Sequence, residues 1–362
     1  MSSLLDRNRL LGTSGLSTPS ILKRVAFTGD RGRAFTTDAM MTFDDRWATI
    51  DSTGAFLIGE LERLDQTLHD PLVAVSWARD ISLREDVSMA DEVSSFTNSA
   101  FSSPGGIVPG GISWISKDAT AISGVGLDIG RTAQNLNLWG KEVKYTLPEL
   151  ASAQKLGRPV DAQKYDAMKL AWQMDVDQLV YIGDTLGGGF GYTGLVNAAG
   201  VAVSNVATGA AGSTLWSTKT PDEILADVNT LLTNTYVTAG YAIVPSKLLL
   251  PPIQWSYLVS QKVSNAGNIS ILQFLRDNSM CNAANGRPLE IQPVKWLAGR
   301  GVGGANRMVA YTQDKDRVRY PLVPLQRTPI EFRGIYQLTY YYGRMGQMEV
   351  VYPETLGFAD GI

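Results

Sequence analysis

Thr146-Leu-Pro-Glu-Leu-Ala-Ser-Ala-Gln-Lys-Leu-Gly157 and, further on, Asp161-Ala-Gln-Lys-Tyr-Asp-Ala-Met-Lys-Leu-Ala-Trp-Gln-Met-Asp-Val-Asp-Gln-Leu-Val-Tyr-Ile182-Gly183 hold the strongest helical signal in the chain. Thr146 and Glu149 have the spacing of a capping box, Pro148 suits a first helical turn, and Gly157 stops a short helix. Asp161 then caps a long helix, Ala162 to Ile182, which Gly183 ends. Tyr165, Met168, Trp172, Leu179 and Ile182 share one face, with Asp175 the exception in the series. At 1.5 Å per residue this helix spans roughly 30 Å, long for a domain of this size.

Downstream, Thr220 and Glu223 form a second box with Pro221 at the first position, which predicts a helix over 221–233 with Ile224, Val228, Leu231 and Leu232 buried. Ile243-Val244-Pro245 and Leu248-Leu249-Leu250 read as strand ends. Helices follow at about 252–263 and 269–278, then strands at 291–297, 307–312 and 317–323, and a last strand pair at 329–342 and 347–352. Upstream, Leu72 to Trp77 reads as a strand, and Leu57, Leu61, Leu64 and Leu68 fall on one face of a short helix over 54–68. Between them lies an unusual stretch, about 85–130. Ser and Thr alternate with small apolar residues on both sides of Pro104-Gly105-Gly106-Ile107-Val108-Pro109-Gly110-Gly111, which predicts a long hairpin without a core of its own. Residues 1 to about 50 are polar and without period, too poor in apolar surface to offset ordering entropy alone. Helices and strands mix without βαβ alternation, so the class is α+β.

The rare residues exclude most chemistry. With 362 residues, 44% of them apolar, the chain can bury a sizeable core in about two domains. One Cys, Cys281, makes no internal disulfide, and one His, His69, cannot supply a zinc site or a well-founded triad. His69 reads as a turn residue and Cys281 as a small residue near a helix end. Two strings match GxGxxG. Gly189-Phe-Gly191-Tyr-Thr-Gly194 follows a helix rather than a strand, and Gly299-Arg-Gly301-Val-Gly303-Gly304 reads better as a hairpin tip. The acidic pairs Asp44 and Asp45, Glu60 and Glu62, and Asp314 and Asp316 read as solvated loop charges, the last as a hairpin turn. A net charge of -3 argues against a protein that grips nucleic acid through a basic excess, although Arg7, Arg9, Lys23, Arg24, Arg31 and Arg33 make the N-terminal segment mildly positive. Neither a signal peptide nor an apolar run near 18 residues is present, so a cytoplasmic site of synthesis is expected. No cofactor and no metal are expected.

Several strings resemble the major capsid proteins of tailed double-stranded DNA bacteriophages, which have the Hong Kong 97-type fold. They are Val143-Lys-Tyr-Thr-Leu-Pro-Glu-Leu150-Ala-Ser-Ala-Gln154 with the long helix after it, Ile182-Gly183-Asp184 with Thr193-Gly194-Leu195-Val196-Asn197, Trp216-Ser-Thr-Lys-Thr-Pro-Asp-Glu-Ile224, Val244-Pro-Ser-Lys-Leu-Leu-Leu-Pro-Pro252, Asn306-Arg-Met-Val-Ala-Tyr311, and Val351-Tyr-Pro-Glu-Thr355 with Asp360-Gly-Ile362. They cover about 140–362; for 1–90 only the general layout is similar. The resemblance implies an N-terminal arm over 1–53, a helix and strand over 54–84, an extended hairpin loop over 85–130, a peripheral domain over 131–234 with the spine helix at 162–182, an axial domain over 235–325, and return strands of the peripheral domain over 326–362. It implies that Pro104, Gly105, Gly106, Pro109, Gly110 and Gly111 tip an intersubunit loop, that Tyr165, Met168, Trp172 and Leu179 are the core of the spine helix, and that Gly299, Gly301, Gly303 and Gly304 belong to an axial-domain hairpin. The implied function is that of a shell subunit which forms pentamers and hexamers around packaged DNA, with no enzymatic role. The partners would be its own copies, a separate scaffolding protein, a portal and a decoration protein, with no membrane. The implied location is the virion, assembled in the bacterial host cytoplasm. Lys117 near the loop would be a donor for intersubunit crosslinking, without a spacing that supports it. An encapsulin-like compartment shell and a metabolic enzyme with a Gly-rich site are the alternatives.

Overall fold

A computed structural model describes residues 73–102, 112–113, 115, 117–118, 124–156, 160–184, 189–263 and 268–362. The expected N-terminal arm, the helix over 54–68, His69 and the loop-tip residues Pro104 to Gly111 lie outside the described residues. From Val75 onward the chain forms one unit. It begins with a four-residue helix, α1 (Trp77–Asp80), and a short strand, β1 (Ser82–Arg84). The strand expected up to Trp77 is absent from residues 73–77. The N–H groups of Ser76 and Trp77 go instead to the Asp177 carboxylate, at 2.9 and 3.0 Å, rather than to a neighbouring strand.

Two long strands, β2 (Val93–Ser102) and β3 (Gly126–Asn135), then pair antiparallel from Val93 opposite Asn135 to Ser102 opposite Gly126. The hairpin therefore runs to Asn135, beyond the expected end at 130. Next comes β4 (Asn137–Thr146), a strand the sequence reading missed, and then α2 (Leu147–Leu156) and α3 (Val160–Tyr181). The capping box of α2 is formed: Glu149 N donates to Thr146 Oγ1 at 3.2 Å and Thr146 N to Glu149 Oε2 at 3.4 Å. Asp161, expected as the cap of α3, lies inside the helix, which starts at Val160. At the other end Gly183 has φ +78 and shares its N–H between the Leu179 carbonyl at 3.0 Å and the Gln178 carbonyl at 3.3 Å, a left-handed C-terminal stop.

The remaining elements are β5 (Ala202–Asn205), α4 (Pro221–Thr238), β6 (Lys247–Leu250), α5 (Pro252–Ser260), α6 (Ile271–Asn278), α7 (Met280–Asn285), β7 (Glu290–Pro293), β8 (Arg307–Tyr311), β9 (Val318–Arg327), β10 (Glu331–Arg333), β11 (Tyr336–Met345), β12 (Glu349–Val350) and β13 (Gly357–Asp360). They make two sheets besides the hairpin. In the six-stranded sheet, β11 lies between β4 and β10 and also pairs β9, which carries β1 and β12. The five-stranded sheet has the order β5-β13-β8-β6-β7. The expected last strand pair, 329–342 with 347–352, is therefore not a pair: β11 turns back on β10, whereas β12 joins β9.

The five-stranded sheet is covered on both faces, which explains its unbroken apolar strands. Leu248, Leu250, Met308, Ala310 and Ala359 point into one core with Ile224, Val228 and Leu231 of α4. Their neighbours Leu249, Val309, Tyr311 and Phe358 point into another, with Val176, Val180 and Tyr181 of α3. The six-stranded sheet meets α3 further back, where Met168 packs on Val143 and Tyr145 of β4. The buried stripe of α3 is thus Met168, Trp172, Val176 and Val180. This corrects the expected face: Leu179 is only partly buried, and Tyr165 is 43% exposed, its ring resting 5.6 Å from that of Tyr341.

Trp172 is the anchor between the layers. Its ring meets Trp139 edge-on at 4.7 Å, and it crosses β11 at Gly343, where a Cβ would come within 2.8 Å of the indole. Trp172→Ala is expected to cost about 3–5 kcal/mol and to yield insoluble or unfolded protein. Denaturant unfolding of the soluble fraction checks this, and an unchanged midpoint would contradict it.

Candidate functional site

Among the exposed apolar groups of the described residues, those of the hairpin sit on a ribbon that has no core of its own. Every residue of β3 is exposed except Gln134, which is half-buried. Pairing of Ser99 with Ile129 and Phe101 with Leu127 puts Val93, Leu127 and Ile129 on one face, and these side chains are 44%, 57% and 62% exposed. A two-stranded ribbon is marginal in water without a covering layer, so this face calls for one. Lys117 is exposed in a turn beyond the strands.

Polar contacts gather where the hairpin and the entering chain meet the body. Glu349, wholly buried, takes Arg84 Nη1 at 3.0 Å and Arg319 Nε at 2.7 Å, and accepts a hydrogen bond from Ser94 Oγ. Leu136 N donates to Glu92 O at 2.8 Å across the open end of the ribbon, and Tyr192 Oη to Asn135 O at 2.8 Å. Asp80, also wholly buried, pairs with Arg79 Nε at 2.7 Å and Lys247 Nζ at 3.1 Å and accepts from Tyr181 Oη. Burial pushes its pKa up, but the bonds from Arg79 and Tyr181 and the Lys247 charge outweigh that, and the net value lies below the usual 3.8. Asp177 completes the seam by accepting from Trp296 Nε1 at 2.6 Å.

The motifs set aside in the sequence stay apart from these clusters. Gly194 leads into a 3-10 turn, Leu195–Asn197, and its Cα faces the Tyr181 backbone so closely that a Cβ would come within 2.4 Å of it. The loop holding Gly299, Gly301, Gly303 and Gly304 is not a hairpin tip. It runs from β7 to β8, which flank β6 on opposite sides, and so crosses the end of the sheet. Gly299, Gly303 and Gly304 have positive φ there, and Val302 N donates to Asp360 Oδ2 at 2.9 Å. Asp314 and Asp316 likewise belong to a link between the two sheets rather than to a hairpin turn, and Asp314 pairs with Arg317 at 3.0 Å. Cys281 is wholly buried in α7, where burial pushes its thiol pKa up. Among the described residues no three His, Cys, Asp or Glu side chains converge on a metal position, and no helix is long and apolar enough to cross a membrane.

A groove of about 270 Å³ between α4 and β5 is lined by Val203, Leu231, Asn234, Thr235 and Phe358 among others. It is smaller than pockets that enclose cofactors, roughly 300–1,000 Å³, and no titratable side chain lines it.

Comparison with known proteins agrees with a shell fold. The sequence model of the family described as Major capsid protein matches residues 110–362. No curated protein matches in sequence. The capsid of Myoviridae phage XM1 superposes with a TM-score of 0.69 at 15% identity, covering 84% of this chain and 98% of that one. The capsid of a native GTA particle gives 0.57 at 14% identity over 86% and 99%, and Mycobacterium phage Adephagia 0.55 at 11% over 86% and 98%. The fold is the Hong Kong 97 type in the α+β class, as expected from the sequence.

The Asp80 cluster sets a pH test. A carboxylate whose folded pKa is depressed adds stability above its unfolded pKa and loses it as pH falls through the folded value. Asp80→Asn is therefore expected to be destabilised throughout pH 5–8, by about 3–5 kcal/mol as for one partner removed from a buried pair. Its deficit against the parent should shrink only below the ordinary Asp range, which denaturant unfolding at several pH values measures. A deficit that already vanishes at pH 5 would contradict the assignment.

Proposed function

Because this chain belongs to the major capsid protein family and serves as a subunit of a virion shell, we propose that its β2–β3 hairpin is the arm that binds each subunit to the next. The observation that carries this is the uncovered pair of apolar side chains Leu127 and Ile129 far along a ribbon with no core of its own. An arm that leaves such a face open in the free subunit gains its covering layer when a neighbour arrives, and closed symmetry repeats that gain at every copy.

On this reading the subunits form pentamers and hexamers around double-stranded DNA. The axial domain, expected over 235–325, is then the five-stranded sheet with α4 to α7, which also takes in β5 and β13 from the stretches expected to be peripheral, and the peripheral domain is the six-stranded sheet with α3. Gly299 to Gly304 are a crossing loop of the axial domain. The chain has no catalytic role. A separate scaffolding protein, a portal and a decoration protein are its further partners, and assembly takes place in the host cytoplasm. The family match favours a capsid over an encapsulin-like compartment.

Leu127→Asp combined with Ile129→Asp tests the arm. The double variant is expected to keep the parent's melting temperature, since neither side chain packs in a core, and to lose closed shells in electron micrographs. Normal shells would overturn the assignment. The packaged DNA is enclosed rather than gripped, because neutralising many phosphates needs a cationic face and the net charge is -3. Free subunits should therefore bind duplex DNA weakly and without sequence preference in a fluorescence titration. Nanomolar binding at physiological salt would count against it.

A further inference from the structure

We propose that Glu349 is a positioning residue for assembly: with Arg84, Arg319 and Ser94 it fixes the direction in which the hairpin leaves the subunit. This rests on the reading of the hairpin as the assembly arm. The carboxylate stands where three strands of the six-stranded sheet meet the arm. Glu349 on β12 lies directly across from Arg319 on β9, and β9 carries β1 with Arg84 on its other side. Arg319 Nε bonds Glu349 Oε2 at 2.7 Å, and Arg84 Nη1 reaches Glu349 Oε1 at 3.0 Å and Oε2 at 3.2 Å.

The same Arg84 nitrogen holds the arm. It donates to Ser94 Oγ at 2.9 Å and to the Ser95 carbonyl at 3.0 Å, both in β2, and Ser94 Oγ donates on to Glu349. Asp86 takes Arg84 Nε and Nη2, at 2.7 and 3.0 Å, and keeps the guanidinium plane in place. Each bond is charge-assisted and angular, and Glu349 and Ser94 are sheltered from solvent. Further along, Asn98 Nδ2 donates to the Val351 carbonyl at 3.4 Å.

Direction matters because the arm is a lever. Ten residues of β2 at about 3.4 Å each reach about 30 Å from the root, so a rotation of about 10° there carries the far end about 5 Å. That exceeds the spacing between neighbouring strands and would misplace Leu127 and Ile129 on any partner surface.

The test uses Ser94→Ala, which removes the arm's own hydroxyl and leaves the Arg84–Glu349–Arg319 pairs whole, and Glu349→Gln, which removes their charge. Spin labels on Asp128→Cys, exposed in the arm, and Thr238→Cys, exposed on α4, report the arm-to-body distance in free subunits; Cys281 is buried and stays as it is. The same substitutions without labels are imaged after assembly. The expected result for Ser94→Ala is a melting temperature lower by only a few degrees, a broadened distance distribution, and loss of closed shells in favour of open or irregular ones. Glu349→Gln should broaden it further; if it does not fold, Ser94→Ala alone decides. An unchanged distribution in Ser94→Ala, with normal or abnormal shells, overturns the inference while leaving the hairpin's assembly role standing. A broadened distribution with normal shells overturns the part of Glu349 in assembly, while the hairpin's own role is decided by the Leu127→Asp and Ile129→Asp variant.

Discussion

The second half of α3 is packed against two sheets at once, and the arrangement of the subunit depends on it. Trp172 touches the six-stranded sheet through Trp139 and Gly343, while Val176, Val180 and Tyr181 close one face of the five-stranded sheet. A helix with one buried stripe can serve two sheets only if they lie at successive heights along it, and the length of α3 makes that feasible. Burial of this kind is strong and without direction. It explains why the parts stay together, but not why they keep one relative angle.

The angle is set by buried carboxylates at the seams. Asp177 and Asp80 hold the α1 turn against α3 and β6, Glu349 holds the root of the hairpin, and Asp360 holds Arg307 with bonds of 2.6 and 2.7 Å beside the crossing loop. Each joins segments far apart in sequence. A buried ion pair adds little net stability, because desolvation offsets most of the Coulomb gain. What such a pair adds is geometry, since its hydrogen bonds tolerate little rotation.

The same division explains what could be read from the sequence. Caps and apolar runs are local signals, so α2, α4, β6 and β8 were legible from Thr146 and Glu149, from Thr220 and Glu223, and from Leu248 to Leu250. The seams were not legible. Asp177 looks like any polar residue on a helix until Ser76, Trp77 and Trp296 arrive to satisfy it, which is why the buried face of α3 was drawn through Tyr165 and Leu179 instead of Val176 and Val180. Strand β4 is hard to read, although Trp139, Val143 and Tyr145 alternate with Glu142 and Lys144, because Lys141 on the covered face and Leu138 on the open one break the alternation. The Gly299 to Gly304 loop was misread because strand order, not turn chemistry, decides whether a glycine-rich link closes a hairpin or crosses a sheet. The hairpin itself was legible from the Ser and Thr alternation on both sides of the Gly- and Pro-rich string, and its lack of a core from its poverty in large apolar groups. Its one apolar face became visible only when the register aligned Leu127 and Ile129 with Val93.

A shell subunit has to fold before it assembles, so its two kinds of surface should be kept apart. Here the cores around α3 and α4 hold most of the large apolar side chains, and a short set on β2 and β3 is among those left exposed. Such a set is too small to drive aggregation of the free subunit strongly, because scattered exposed apolar groups are ordinary on soluble proteins. Its effect multiplies only when many copies repeat one contact, and repetition in a closed shell requires the contact at one angle. The physical reason to spend a buried Glu349 and two arginines on a ribbon that contributes nothing to the core is that assembly rewards direction as much as affinity.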